Sequence, residues 1–498
     1  MSIQILDCTL RDGGYINDWK FGKKTIASIL DKLAMARVDM IECGFLTGMV
    51  KDEECSLFSS IADITNLLPK RKNSSMFVAM IAMGEKELEP EMLSPFDGKG
   101  IAGIRLTFHK TEIEKSIHWA EKIMEKGYKV FMQPVGTVFY TDMELLSLVE
   151  KMNALKPYAF YIVDTLGSMY RNEVSHKFYL IDENMAPDIQ LGFHPHNNLQ
   201  LAFSNAQILG KIQTKRELII DSSVYGMGRG AGNLPTELIT QYINKNIAAR
   251  YDVTKIMDIY DEYIGPIRRN FQWGYAVPYH IAASHVCHPN YASYLLKKQT
   301  LTMRDIEKII QSIPAEYKML YDEKLIRVLY RNFQSRKIDD REAVKEIRRR
   351  IADRKVLLLV WDNSLVTYYK ELIDFIDQEH PYVIAVNFVD LRFRINACFI
   401  NNHKRMDMIP LELFRRNNIT WILTSNLPAE QVNCLWVDYD RYSSNTWEEG
   451  DDDAAMAVNL LSLCKIKELY IAGQNKENAL PDKSLSFITP VKERMEYV

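Results

Sequence analysis

The sequence predicts an α/β chain: a (β/α)8 TIM barrel, then a helical extension, then a smaller C-terminal Rossmann-like α/β domain. Three observations carry this reading. From the start to about residue 235, short β-branched or apolar runs alternate with longer amphipathic stretches, the rhythm of βα units on a parallel sheet. Eight such runs can be counted, and eight units in roughly 230 residues approach the typical barrel length of about 250. The polar, chemically capable residues then gather at one end of the runs. In a barrel those ends surround a single mouth, whereas in a doubly wound open sheet they would be strung along a crevice.

The strands are expected at Gln4–Cys8, Met40–Phe45, Met76–Ile81, Gly103–Phe108, Lys129–Gln133, Ala159–Val163, Gln190–Phe193 and Leu218–Ser222. Between them, Lys23–Ala36, Thr111–Lys126, Met143–Leu155, Tyr170–Met185 and Leu199–Leu209 repeat apolar residues near the helical period. Arg11 and Asp12 follow the first strand and Glu42 sits in the second. His109 follows the fourth, Gln133 ends the fifth, and Asp164 and Thr165 follow the sixth. His194 and His196 end the seventh, and a glycine-rich loop with Asn233 follows the eighth.

Beyond the barrel, assigned to residues 1–240, a helical extension is expected over 241–335, broken at Gly265–Pro266, Pro278, Pro289 and Pro314. At least two of His280, His285 and His288 are expected to be buried helix residues. Residues 336–355, with IRRRIADRK, read as a charged linker or solvated helix. A second βα series, VLLLVW, YVIAVNFV, ACFINN, WILTSN, NCLWVDYD and ELYIAG, defines an α/β domain over 356–498.

Composition bounds the function. With 498 residues the chain is long enough for two or three domains, and 47% hydrophobic with 26% charged residues is ordinary for a globular protein. A net charge of −3 argues against bulk electrostatic binding of nucleic acid or anionic lipid. No apolar stretch approaches the ~20 residues that span a bilayer, and MSIQILDCTL does not read as a signal peptide, so a cytoplasmic protein is expected. Seven cysteines without a C-x-x-C pair fit reduced structural thiols.

His194-Pro195-His196 is the sharpest local feature. Residues two apart on a strand project to the same side, so both imidazoles can address one ion, and the proline places the motif where the strand leaves the sheet. Asp12 supplies a hard ligand and Asn233 a neutral oxygen; such a set suits Mn2+, Mg2+, Co2+, Fe2+ or Zn2+ alike. Arg11 can hold a carboxylate and stabilise a developing enolate oxygen. Asp7, inside the strand, reads as an acceptor of backbone or arginine hydrogen bonds. The Gly226–Asn233 segment, GMGRGAGN, is out of register with a dinucleotide fingerprint and reads either as a flexible loop packed close to the metal site or as an ordinary βα loop needing positive φ.

Asp7-Cys8-Thr9-Leu10-Arg11-Asp12-Gly13-Gly14, Glu42-Cys43-Gly44-Phe45, Asp164-Thr165-Leu166-Gly167, His194-Pro195-His196-Asn197-Asn198 and Gly230-Ala231-Gly232-Asn233 together resemble the DRE-TIM metallolyase family, within it the 4-hydroxy-2-oxovalerate aldolase branch. The resemblance covers approximately residues 1–240. It implies a reversible aldol reaction between a small 2-oxo acid and an aldehyde. Asp12, His194, His196 and Asn233 would hold a divalent metal, Mn2+ or Mg2+ first. Arg11 would stabilise the enolate, Thr165 would lie near the substrate carboxylate with His109 and Gln133 on the same rim, and Glu42 would be a supporting acid. One position departs. Where the branch has a histidine three residues after the metal aspartate, this chain has Tyr15, and a phenol with an ordinary pKa near 10 is a poor base. Either Tyr15 acts through a metal-held water, or His109 or His288 replaces it, or the activity has changed. A Claisen-type acyl-CoA synthase or lyase and a scaffold barrel without catalysis are the competing readings. The C-terminal domain resembles a sialyltransferase-like Rossmann outline. Val360-Trp361-Asp362-Asn363-Ser364 replaces its glycine-rich turn, so a docking or degenerate domain is expected. A homo-oligomer is the remaining expectation.

Overall fold

In the first strand, Ile3-Gln4-Ile5-Leu6-Asp7, side chains must alternate between two faces, and what each face meets sets the architecture of the computed structural model. Described are residues 3–48, 52–71, 74–414, 418–428, 434–443, 453–473 and 488–490. They form two compact units, Met1–Ser293 with Ala315–Tyr321, and Tyr294–Pro314 with Asp322–Val498.

The first unit is the barrel. Its strands are β1 (Ile3–Asp7), β2 (Met40–Leu46), β3 (Leu57–Phe58), β4 (Met76–Ala82), β5 (Gly103–Phe108), β6 (Lys129–Pro134), β7 (Ala159–Asp164), β8 (Gln190–Pro195) and β9 (Leu218–Ser222). All pair in parallel in the order β1-β9-β8-β7-β6-β5-β4-β2-β3, and β1 also pairs β2 through Leu6↔Met40 and Asp7↔Ile41, which closes the ring. The (β/α)8 class read from the sequence is the fold found. The two-residue β3 against the end of β2 was outside that reading, because it is shorter than any run that alternation can reveal.

Alternation sorts the side chains. Ile5, Ile41, Ile81, Leu106 and Ile162 face outward into a core with Ile26, Ile29, Leu30 and Leu33 of helix Lys23–Met35. Leu6, Cys8, Met40, Val78, Phe131, Tyr161 and Ile219 fill the interior. Gly192 in β8 is required there, since an added Cβ would lie 2.3 Å from the Tyr161 ring. The same inward parity carries polar residues: Glu42 in β2, Arg105 in β5, Gln133 in β6, His194 in β8 and Asp221 in β9 are all buried.

Helices run through the expected extension, including Val253–Ile259, Val277–Ser284 and Pro289–Lys297. The histidine expectation needs correction: only His288 is buried, while His280 is exposed, lying off the face of Val277–Ser284 that buries Pro278, Ile281, Ala282 and Ala283, and His285, the residue that caps this helix, is half-buried.

The second unit holds a seven-stranded sheet of β10 (Lys355–Val360), β11 (Tyr382–Val386), β12 (Ala397–Ile400), β13 (Thr420–Thr424), β14 (Leu435–Val437), β15 (Glu468–Ala472) and β16 (Ile488–Pro490). The order is β14-β13-β12-β11-β10-β15-β16, parallel except for β16. The charged run forms helix Arg341–Ile351, whose Ile347 and Ile351 pack on one face of this sheet while its arginines remain outside. After β10 the Asp362 carboxylate accepts from the Ser364 N–H at 2.8 Å, and a single helical turn, Ser364–Thr367, follows. That side-chain bond occupies a backbone donor which a glycine-rich turn would leave for phosphate. Much of the stretch beyond Gly473 lies outside the described residues. All seven cysteines are free thiols, six of them buried. Among the described residues no helix is long and apolar enough to cross a membrane.

Candidate metal centre

The turn after β1 sets the first ligand. Cys8 O accepts from Arg11 N at 3.1 Å and Asp12 N at 2.8 Å, folding the chain back so that Asp12 reaches the barrel mouth. Asp7 pins this turn from below, its carboxylate accepting from Thr9 N at 2.9 Å and Thr236 Oγ1 at 2.6 Å. Burial pushes the Asp7 carboxyl up to about 6 despite those bonds.

At the end of β8, His194 and His196 project to the same side. Their nitrogens and the Asp12 carboxylate lie within 4.8 Å of one another, all three residues buried. Each imidazole is oriented through its other nitrogen. His194 Nδ1 faces Asp221 Oδ2 at 2.8 Å, and His196 Nδ1 faces the Asp164 carbonyl at 3.1 Å. Such a partner fixes the tautomer and presents the Nε2 lone pair to the cluster. Burial lowers the His194 pKa to about 4, only partly opposed by Asp221, so the ring is neutral at pH 7. Burial raises Asp12, but Arg11, His196 and His194 outweigh it and hold the carboxyl well below its usual range.

Two unmet groups test whether a cation fits here. His196 Nε2 and Asn233 Oδ1 are buried without a hydrogen-bond partner, beside a carboxylate that is already ionised. Leaving such atoms unpaired is costly. A divalent cation satisfies this donor set of one carboxylate, two imidazoles and an amide oxygen. Asn233 is tied in by its Nδ2, which donates to Asp12 Oδ2 at 2.6 Å and Met227 O at 3.0 Å. Gly228 allows this approach: an added Cβ would lie 2.4 Å from Asn233 Nδ2 and 3.2 Å from Asp12 Oδ2.

Beneath the ligands lies a buried ionic web. Arg11 donates from Nε to Glu42 at 2.8 Å and from Nη1 to Asp12 at 2.6 Å, leaving Nη2 buried and unpaired. Arg105 donates to the same Glu42 oxygen at 2.7 Å and to Asp221. The Gln133 amide oxygen accepts from Arg105 Nε at 2.6 Å. Burial raises Asp221, but Arg105 and His194 more than reverse this.

A cavity of about 90 Å³ opens beside the cluster, lined among others by Arg11, Asp12, Tyr15, His109, Gln133, Thr165, His194 and His196. Glu42 and Asn233 stand behind this surface rather than on it. Thr165 Oγ1 accepts from Gly136 N at 2.8 Å. Tyr15 is pushed to about 12, by burial first, so the phenol stays protonated. Burial, then Arg229 and His196, push His288 down to about 3; its Nδ1 accepts from Asn290 N at 3.2 Å, so the ring proton sits on Nε2.

Sequence reasoning missed Arg105 and Asp221 as supports, and Arg229, Glu85, Met319 and Leu320 as lining residues. The first two carried a legible signal, a charge at an inward position of a buried strand. Met319 and Leu320 carried none. They arrive on segment 315–321, held by Tyr291 Oη, which contacts Tyr317 O and Leu320 O at 2.9 Å each, and by His288 N donating to Lys318 O at 2.8 Å.

Residues 105–262 match the HMGL-like family model. Over 270 residues the chain is 28% identical to the 4-hydroxy-2-oxovalerate aldolase of Thermomicrobium roseum, covering 53% of this chain and 73% of that protein. Over 280 residues it is 26% identical to the protein of the same name from Geobacillus thermodenitrificans, covering 53% and 76%. Among solved structures, the N-terminal domain of a candidate aldolase from Bacteroides vulgatus aligns with a TM-score of 0.51 at 23% identity, covering 62% of this chain and all of that one. The carboxyl transferase domain of Rhizobium etli pyruvate carboxylase aligns at 0.50 and 12% identity, covering 70% and 65%. Both likenesses concern the fold.

Proposed function

We propose, for a barrel that is an HMGL-like domain related to the 4-hydroxy-2-oxovalerate aldolases, that it is a carbon–carbon lyase which reversibly cleaves a 4-hydroxy-2-oxo acid into a 2-oxo acid of the pyruvate type and an aldehyde. One observation carries the reading. The buried Asp12–His194–His196 cluster stands beside Arg11, a guanidinium with a free, buried Nη2.

A divalent ion, Mn2+ or Mg2+ in our reading, held by Asp12, His194, His196 and Asn233, would supply Lewis-acid polarisation of the 2-oxo group. The rest follows from the side chains. Arg11, fixed by Glu42 and Asp12, points Nη2 at the oxygen where charge develops as the C3–C4 bond breaks and its electron pair moves toward C2. Glu42, shared by Arg11 and Arg105, is a positioning residue. Thr165 holds the substrate carboxylate and Gln133 lines the wall beside it.

The proton of the 4-hydroxyl has to leave as the aldehyde forms. Tyr15, raised to about 12, keeps its own proton, and the His288 ring presents Nε2–H rather than a lone pair. We assign the base to His109, an imidazole in the pocket wall and the side-chain class that most often moves protons near neutrality. The expected result for His109→Asn is a fall of about 10²–10⁴ in cleavage kcat, read by coupled aldehyde reduction; a change under threefold would remove His109 from the mechanism. The function itself is tested with pyruvate in deuterated water. Metal-loaded protein should exchange the methyl protons, and absence of exchange with every divalent ion tried would overturn the assignment. We also place the chain in the cytoplasm, where its seven free thiols suit a reducing medium.

A further inference from the structure

The pocket contains more positive charge than cleavage of a simple 4-hydroxy-2-oxo acid uses. Arg11 is matched by Glu42 and Asp12. Arg229 also lines the cavity, half-buried, and has no carboxylate partner among the described residues. Its guanidinium lies over the Tyr15 ring, 3.9 Å from guanidinium carbon to ring centroid. A ring contact uses none of the five N–H donors of the guanidinium, so they remain available.

Among the described residues, Glu85 is the only acidic residue besides Asp12 on the wall, and no ion pair joins it to Arg229. Its side chain is 51% exposed, with Lys86 Nζ at 3.9 Å and Tyr15 Oη at 3.4 Å. Lys86 itself lies over the Trp19 ring at 4.4 Å and the Phe45 ring at 5.1 Å, which fixes it beside Glu85. Arg229 is therefore the residual charge, partly removed from water, where an anion gains more than at the open surface.

The arginine is also preorganised. Its carbonyl accepts from Gly232 N at 2.9 Å, and the loop around it is fastened by Asn233 N to Gly226 O at 3.0 Å, Ala231 N to Asn198 Oδ1 at 2.8 Å and Gly274 N to Gly230 O at 3.1 Å. Such a loop holds its side chain in place at little further ordering cost. Tyr15 then has a role that explains why it need not be a base: it is the platform on which Arg229 rests.

Resting on the aldolase reading above, we infer that Arg229 selects the aldehyde half of the reaction, and that this aldehyde carries an anionic group, a carboxylate or a phosphate, at the end away from its carbonyl. The reaction is unchanged in its atoms and electrons. C3 of the 2-oxo acid gives up one proton as its C3–H bond breaks, the new C–C bond forms to the aldehyde carbon as the C=O π bond opens, and the former aldehyde oxygen takes up one proton, so no net proton is gained or lost. The anionic group is a spectator held by the guanidinium.

The test is condensation of pyruvate by the full chain with matched pairs: butanal against succinic semialdehyde, and glyceraldehyde against glyceraldehyde 3-phosphate. The anionic member of at least one pair should have a kcat/KM about ten- to a hundredfold higher, the range for a hydrogen bond to a charged group. The pair that responds tells carboxylate from phosphate. Arg229→Met should bring that ratio close to one, and Arg229→Lys should keep part of it. Equal rates for both pairs in the wild type, or a ratio that survives in Arg229→Met, overturns the inference. So does a loss in Arg229→Met that appears as a higher pyruvate KM with either aldehyde, because the arginine would then serve the 2-oxo acid. Methyl-proton exchange by the wild type separates the two levels: exchange with flat ratios defeats only the role of Arg229, whereas no exchange defeats the aldolase reading and this inference with it.

Discussion

At the scale of single residues, the carboxylate of Asp221 decides how His194 stands. It accepts from the ring at 2.8 Å and is itself held by Arg105. Outer partners of this kind typically govern ligand affinity by about 10–100-fold, so Asp221→Asn should weaken Mn2+ binding by that amount in calorimetric titration; an unchanged Kd would mean that the strand alone sets the ring. Asp7 gives a prediction in pH. Its native pKa of about 6 lies above the ordinary 3.8, so the folded state binds its proton more tightly. Stability from this group is complete below pH ~4 and is lost as pH rises to ~6, by about 3 kcal/mol in all. Asp164 shifts in the same direction, so the comparison must isolate Asp7. Asp7→Asn should gain on the wild type by about that amount between pH 4 and 7 in urea unfolding; parallel curves would contradict the burial argument. The three metal-ligand candidates could be read from the sequence because H-x-H and the Asp12 turn are local patterns. Asp221 and Arg105 could not be assigned, since a charge within an apolar strand does not name its partner across the barrel.

Among elements, the strands were the most legible part. Alternation and turn residues placed all eight barrel strands within about one or two residues of their observed ends. Loops were less so, because a loop's path depends on what it packs against. The glycine-rich loop could be read as lying close to the metal, but not that Gly228 is the point of contact or that Arg229 turns into the cavity. Gly228→Ala should displace Asn233 and Asp12, given Cβ distances of 2.4 and 3.2 Å, and lower Mn2+ affinity while leaving the barrel folded. Circular dichroism with metal titration checks this, and undiminished binding would show that the loop yields. The 315–321 segment was beyond sequence reasoning because nothing in its residues announces that the Tyr291 hydroxyl will hold it.

Across the whole molecule, two sheets and their cores divide the chain into units that interleave in sequence, the chain passing between them after Ser293, Pro314 and Tyr321. Periodicity predicted both sheets, yet a boundary that the chain crosses three times leaves no local mark. The donor atoms of the candidate centre all belong to the first unit. A bound ion stabilises the body that holds it. Hydrogen exchange with and without Mn2+ should therefore slow amides in residues 3–293 and leave 356–473 unaltered; protection extending into the second sheet would refute that confinement.

The route from Arg105 through Asp221 to His194 has a practical corollary. Because the imidazole is steered from the floor of the barrel, the preference among cations can be retuned by substitutions that never reach the mouth. A library confined to Arg105 and Asp221, neither of which lines the cavity, would vary the ion while sparing the surface that recognises the organic substrate.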